Sequence, residues 1–283
     1  MDTPEPAPRS RRGWVDWVTK LAGALTLAAL GAGLGGWLAW QVSDDLPADR
    51  FALETVQPLV PGTRLHAPDR RHEPPFGYDP PYEGVQALLF GGDDYNGGYI
   101  AYHVDPPAQN VTGAIGVARE ALVKDHYWKV DTRAPDLPGQ AEGVTAVSRD
   151  LVVQVYQEGA GGLVLEISRR PPPSVAPLVA LFGLVGFALG WVGMRRAVDN
   201  GRVAAVTAWA GVGFLAPCTL LTYAVVATMY LAPVTEPIPS WDAYTGIGFR
   251  LLANIGVLLL LAATAVTALA VWSSDSRRRL PLP

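Results

Sequence analysis

Four long stretches of this 283-residue chain contain no Asp, Glu, Lys, Arg or His. Each is at least as long as the roughly 20 residues that a helix needs to cross the hydrocarbon core of a bilayer. Their lack of charge also argues against proton-coupled transport, ion conduction and intramembrane proteolysis, which generally place ionisable groups at membrane depth. The sequence therefore predicts an integral membrane protein with four transmembrane helices, over 21–41, 174–194, 203–232 and 251–272.

Cysteine is nearly absent and lysine is scarce. The single cysteine, Cys218, falls in the third apolar stretch, so the parts of the chain outside the helices contain no disulfide and must be stable through ordinary packing. Arginine outnumbers lysine 19 to 3, a skew that indicates a GC-rich bacterial genome. A bacterial plasma membrane is the expected location.

Basic residues are missing from one of the two short loops between the apolar stretches. The loop over 233–249 has none, whereas Arg and Lys cluster in 9–20, 195–202 and 277–279. Short cytoplasmic loops accumulate Arg and Lys, so both termini are predicted to be cytoplasmic and the large loop over 42–173 extracytoplasmic. That loop carries 11 basic and 19 acidic side chains, a net charge of −8, which gives no basis for binding nucleic acid.

The first apolar stretch lacks the small side chains expected at a signal-peptidase cleavage site. It ends in bulky residues over 37–40, Trp-Leu-Ala-Trp, and it is longer than the roughly 7 to 15 residues of a signal-peptide core. An uncleaved membrane anchor is therefore favoured over a cleaved signal peptide.

The charges and apolar stretches divide the rest of the chain into segments on two sides of the membrane. The predicted cytoplasmic segments are the tail 1–20, the loop 195–202 and the tail 273–283. The predicted extracytoplasmic segments are a proline-rich linker over 42–84, a folded domain over 85–168, a proline-rich spacer over 169–173 and a loop over 233–250.

The linker over 42–84 has no sustained apolar period and contains eight prolines. Proline removes a backbone donor and biases the residue before it toward extended conformations. Apart from a short helix predicted over 48–57, the linker is therefore expected to be a semi-rigid, partly extended spacer.

The segment that follows alternates short strand-like runs with glycine-rich turns. Strands over 85–90 and 99–104 flank a turn rich in Gly, Asp and Asn, and a helix is predicted over 111–125 from the spacing of its apolar residues. One main helix among about six short strands predicts a two-layer α+β domain, an antiparallel sheet covered on one face by the helix. The remaining strands are expected over 127–130, 144–147, 151–157 and 163–167.

Motifs that would identify an enzyme are missing. The chain has no glycine-rich phosphate loop, nucleophile elbow, His-Glu-x-x-His or Cys-x-x-Cys, so no catalytic residue and no cofactor is predicted. His103 and His126 are interpreted as structural, and the turn over 93–98 as a hairpin turn in preference to a calcium loop, since it lacks the distal Glu of an EF-hand.

A pattern of potential metal ligands lies in the linker. His66, Asp69, His72 and Glu73 form His-x-x-Asp-x-x-His-Glu, and such side chains can bind zinc or copper. The spacing matches no established motif, and ordering a flexible segment would reduce the binding free energy. A solvated polar linker is the preferred interpretation, with metal binding as the alternative.

Small residues recur along two of the predicted transmembrane helices. Such faces allow close approach of two helices, either within the bundle or with a membrane-protein partner or a second copy of the chain. Asn254 is expected to hydrogen-bond to a neighbour such as Thr222 or Tyr223, and Arg250 to reach the headgroups or pair with Asp242 or Glu236. The small-residue positions are Gly183, Gly186, Gly190 and Gly193 in the second helix and Ala24, Ala28, Ala32 and Gly36 in the first.

These features favour a non-enzymatic protein of the cell envelope, in which four helices in the lipid bilayer carry a small extracytoplasmic domain that binds, senses or scaffolds. Two alternatives stay open. The helices could belong to an accessory subunit of a larger transporter or envelope-synthesis complex, or the domain could be a hydrolase or metal-binding module that uses its His and acidic residues.

Overall fold

Four long helices and a six-stranded sheet make up most of the chain. A computed structural model describes residues 10–42, 45–71, 89, 98–104, 111–131, 143–158, 162–231, 240–245 and 249–279. The helices are α1 (Ser10–Gln41), α2 (Asp49–Val56), α3 (Val111–Lys124), α4 (Val175–Asp199), α5 (Arg202–Leu231), α6 (Asp242–Thr245) and α7 (Arg250–Arg279). The strands are β1 (Asp69–Arg71), β2 (Tyr99–Val104), β3 (Lys129–Asp131), β4 (Gly143–Val147), β5 (Leu151–Glu158) and β6 (Gly162–Arg169).

Helices α1, α4, α5 and α7 are each long and apolar enough to cross a membrane, which confirms the four predicted apolar helices. Three of them extend further than predicted: α1 begins at Ser10, 11 residues before the apolar stretch, α4 continues to Asp199 and α7 continues to Arg279. The extensions contain no proline, and a helix needs no apolar residues to continue into water.

The long helices form two antiparallel pairs, α1 with α4 and α5 with α7. Backbones approach closely within each pair. A Cβ atom at Gly190 of α4 would overlap the carbonyl oxygen of Gly23 in α1, and one at Gly211 of α5 would lie 3.0 Å from the carbonyl oxygen of Gly256 in α7. The contacts between one pair and the other are sparser.

The short helix α6 folds back against the bundle and contacts α5, α7 and α1. Trp241, next to α6, packs edge-to-face against Trp40 with ring centroids 6.1 Å apart. Arg250, at the start of α7, is only 6% exposed. This burial favours the expectation that Arg250 pairs within the protein over the alternative that it reaches outward to the headgroups.

All six strands join one antiparallel sheet in the order β1-β2-β6-β5-β4-β3. Helix α3 packs on one face through Ile115, Ala118 and Leu122, and these side chains belong to the same buried cluster as Ile100, Leu165 and Val153 of the strands. The predicted antiparallel sheet covered by one main helix is confirmed. The predicted strand over 85–90 and its hairpin turn lie outside the described residues.

Part of the predicted linker belongs to this domain instead. Leu46, Ala52, Val56, Leu59 and Val60 lie in the same buried cluster as the sheet, and β1 extends the sheet by pairing with β2. Treating 42–84 as a spacer is therefore wrong for residues 46–71. Pro58 is compatible with this fold because it lies at the start of the 3-10 turn Gln57–Leu59, where a backbone donor is dispensable.

Polar contacts hold α2 to the edge of the sheet. The guanidinium of Arg70 in β1 donates from Nε to Oδ1 of Asp49 in α2 over 2.8 Å. Tyr102 in β2 donates from its hydroxyl to the backbone carbonyl of Asp49 over 3.3 Å. Burial raises the pKa of Tyr102, with the negative charge of Asp49 acting in the same direction and Arg70 opposing it, so the phenol stays a donor at neutral pH.

Two short connections join the domain to the bundle. Helix α1 ends at Gln41 and Leu46 already lies in the domain core, while β6 ends at Arg169 and α4 begins at Val175. Near this junction burial lowers the pKa of Arg169, and the negative charge of Asp45 opposes the shift. The domain is therefore held close to one end of the α1/α4 pair.

Candidate functional site

The face of the sheet that points away from α3 carries polar side chains on several neighbouring strands. Side chains alternate between the two faces of a strand, so the even-numbered residues of β5 and β6 point away from the core that includes Val153 and Leu165. We call six residues on this side the polar face: His103, Thr145, Gln154, Tyr156, Glu158 and Glu166.

The register of the strands places three of these residues in one row across the sheet. Thr145 in β4 lies opposite Gln154 in β5, and Gln154 lies opposite Glu166 in β6. Neighbouring strands are about 4.8 Å apart, so the three side chains are direct neighbours. The three side chains therefore form one polar row across the sheet, in which Thr145 and Gln154 are buried.

Two pairs of side chains occupy the more open part of the polar face. Tyr156 donates from its hydroxyl to Oε2 of Glu166 over 3.0 Å. His103 Nδ1 lies 3.5 Å from Oε2 of Glu158, and both side chains are at least half exposed. The Glu166 carboxylate is thus held in place by the Tyr156 hydroxyl, and the Glu158 carboxylate lies beside the His103 imidazole.

The other two residues are buried with unused acceptors. Thr145 is 2% and Gln154 is 3% exposed, and neither Oγ1 of Thr145 nor Oε1 of Gln154 has a hydrogen-bond partner within the described part of the chain. A buried polar group without a partner costs about 1 to 3 kcal/mol, and such groups in native proteins call for an explanation. A ligand that donates hydrogen bonds would satisfy both oxygens.

The chemistry of the polar face therefore favours ligands with hydrogen-bond donors. Its unpaired groups within the described residues are the Gln154 amide oxygen and the Thr145 hydroxyl. The Glu166 carboxylate beside them accepts from Tyr156, and the neighbouring Val152 and Val164 are buried and apolar. A carboxylate at this position disfavours phosphates and other anions. Amines, amides and hydroxyl groups are the matching ligand groups.

The predicted metal ligands do not form a cluster in the described residues. The backbone N–H of His66 donates to the carbonyl of His103 over 3.2 Å, and Asp69 lies opposite Ala101 in the register of β1 and β2. His72 and Glu73 lie outside the described residues. Within the part of the chain that the structure describes, no three His, Cys, Asp or Glu residues lie close enough together to hold a metal ion.

The small residues predicted to allow close packing do not all contact the same part of the protein. A Cβ at Gly186 would overlap the carbonyl oxygen of Leu27, next to Ala28, and one at Gly183 would lie 3.6 Å from the carbonyl oxygen of Ala28. On α1, Gly36 faces Ser240 beside α6, while Ala24 and Ala32 are buried. Gly193 differs from the other glycines of α4, because a Cβ there would meet no atom within 4 Å.

Further residues at these contacts were not predicted. The α1 side of the pair includes Gly31 and Gly35, where a Cβ would overlap the carbonyl oxygens of Phe182 and Leu178. Asn254 lies near the start of α7. Its two expected partners both donate their hydroxyls to backbone carbonyls: Thr222 donates to the carbonyl of Cys218 over 2.8 Å, and Tyr223 to the carbonyl of Leu25 over 2.9 Å. Tyr223 thereby connects α5 to α1.

The polar face itself was also missed, although the sequence contains a signal for it. Gln154 and Glu166 interrupt two otherwise apolar runs, and β5 and β6 pair in a register that places these two residues opposite each other. Polar residues in the middle of two paired strands mark a shared polar position on the sheet. Comparison with models of known families, with curated proteins and with solved structures finds no match for the chain.

Proposed function

We propose that the protein is a non-enzymatic component of a bacterial plasma membrane whose extracytoplasmic α+β domain binds a donor-rich ligand on the polar face. The observation that carries the proposal is the pair of buried, unpaired acceptors at Thr145 and Gln154. The four long helices act as the anchor, and the short connections at Gln41 and Arg169 keep the domain next to the bilayer surface.

The distribution of arginine supports the proposed orientation. Arg195, Arg196 and Arg202 lie where α4 ends and α5 begins, at the end of the bundle opposite the connections to the domain. We call these three residues, with the turn that joins them, the basic end. Because basic residues accumulate on the cytoplasmic side, the domain is expected on the other side.

The orientation can be tested by cysteine labelling of cells. In a Cys218→Ala background, we expect Arg149→Cys, at an exposed position in the domain, to react with a membrane-impermeant maleimide in intact spheroplasts. Asp199→Cys, at an exposed position of the basic end, should react only after the membrane is permeabilised. Labelling of Asp199→Cys in intact spheroplasts, with protection of Arg149→Cys, would overturn the proposed placement of the domain.

Ligand binding can be tested on the full-length protein in detergent by thermal unfolding. The probes are a panel of amino acids, polyamines, amino sugars and polyols, with dicarboxylates and phosphate esters as anionic counterparts. We expect at least one donor-rich compound to raise the melting temperature of the wild type and not that of Gln154→Met, since Met keeps the length of the side chain without its amide.

Gln157→Met is the matched control for this experiment, because Gln157 lies in the same strand with its side chain on the other face. It should respond to the compound as the wild type does. If no donor-rich compound raises the melting temperature of the wild type, or if Gln154→Met responds equally, the polar face is not the binding site.

A further inference from the structure

A cavity of about 960 Å³ lies between the two helix pairs. All four long helices contribute to its wall, which is mostly apolar: Leu27 of α1, Gly193 of α4, Val212 of α5, and Leu260 and Trp272 of α7. The cavity exists because the two helices of each pair pack closely together, whereas the two pairs make few contacts with each other. Its volume falls in the range of roughly 300 to 1,000 Å³ that is typical of pockets for small ligands.

The wall of the cavity becomes polar at the basic end. Arg196, Asp199 and Asn200 line this part. Asp199 lies 3.8 Å from Nε of Arg195, and the Asn200 amide donates to the backbone carbonyl of Arg196 over 2.8 Å. The guanidinium of Arg196 forms no ion pair with any described carboxylate, so its positive charge is available to a ligand.

We propose that this cavity binds an anionic glycerophospholipid, with an acyl chain between the helix pairs and the phosphate at Arg196. The complementarity is twofold, because an apolar groove suits hydrocarbon and an unpaired guanidinium at its mouth suits a phosphate oxygen. Basic pockets between transmembrane helices are established sites for anionic headgroups. The inference is independent of the ligand of the polar face, which lies in the domain and favours donors.

A substitution at Gly193 can fill the cavity without disturbing the packing of the helices. Gly193 lines it, and a Cβ at this position would meet no atom within 4 Å. Gly193→Leu therefore places a side chain in the space that the acyl chain would occupy. Gly213→Leu is the matched control, because a Cβ at Gly213 of α5 would also meet no atom within 4 Å and this residue does not line the cavity.

The proposal is tested by native mass spectrometry of the full-length protein with phosphatidylglycerol or the zwitterionic phosphatidylcholine of the same acyl chains. We expect the wild type to bind phosphatidylglycerol more tightly, and Arg196→Gln to lose this preference with an affinity about tenfold lower, the scale of one charge-assisted hydrogen bond. Gly193→Leu should lose binding of both lipids. Arg149→Gln, which removes an exposed arginine of the domain, and Gly213→Leu should bind as the wild type does.

Other outcomes would overturn the proposal. Equal binding of the two lipids by the wild type would remove the role of the charge, and unchanged binding by Gly193→Leu would place the lipid elsewhere. A wild-type dimer that Gly193→Leu converts to a monomer would show that a second copy of the chain fills the cavity. If Gly193→Leu fails to assemble, Arg196→Gln still decides, because its substitution lies at the polar mouth and leaves the helix contacts intact.

Discussion

Replacing Gly190 with leucine should prevent α1 and α4 from packing together and leave little correctly assembled protein. A Cβ at this position would overlap the carbonyl oxygen of Gly23 and lie 2.8 Å from the Cα of Ala24. Both atoms belong to the backbone of α1, so no side-chain rotation relieves the clash. Overpacking typically costs about 1 to 3 kcal/mol, and we expect a cost above this range because the whole helix must move.

The measurement is the yield of monodisperse protein in detergent together with its melting temperature. Gly193→Leu is the control, since it introduces the same side chain one turn further along α4 at a position with free space. The control should be obtained in normal yield. Equal yields and melting temperatures for Gly190→Leu and the wild type would mean that α1 and α4 do not make this contact.

The double substitution Thr145→Val with Gln154→Met should make the domain more stable while abolishing ligand binding. Both replacements keep the approximate shape of the side chain and remove an oxygen that is buried without a partner in the described part of the chain. Removing an unsatisfied buried group recovers its desolvation cost of about 1 to 3 kcal/mol. A gain in stability that accompanies a loss of function is the signature of residues retained for binding.

Hydrogen exchange of the β5 and β6 amides in the full-length protein measures this stability without interference from the helices. We expect slower exchange in the double variant than in the wild type. Val153→Ala, which removes a buried side chain of the same strand on the core side, should exchange faster. Faster exchange in the double variant would mean that Thr145 and Gln154 have partners that stabilise the fold.

The helical part of the fold follows from the sequence with little ambiguity. A run of more than 20 apolar residues without charge has few stable alternatives to a buried or membrane-spanning helix, so the four long helices could be predicted. Their pairing could not. Gly186 and Gly190 of α4 face α1, and Gly211 of α5 faces α7. A series of small residues in the sequence indicates that some helix comes close, but it does not indicate which one.

Only part of the domain could be predicted from local sequence patterns. Helix α3 and strands β4 to β6 follow from local apolar spacing, whereas residues 46–71 contribute to the core through positions such as Ala52, Val56 and Leu59 in a segment interrupted by prolines. Their role depends on contacts with strands far along the chain. The polar face is missed for the same reason, because Thr145, Gln154 and Glu166 become neighbours only once three strands are in register.

The pairing of α1 with α4 gives the chain a modular organisation. Packed helices lie about 8 to 10 Å apart, so the domain between Gln41 and Val175 starts and finishes at two points that are nearly adjacent in space. A domain with neighbouring ends can be grafted into any antiparallel helical hairpin, and the hairpin can be reclosed by a short turn once the domain is removed. We therefore expect the four-helix bundle and the domain carried in its first hairpin to be separable, so that each can change in evolution or by design without refolding the other.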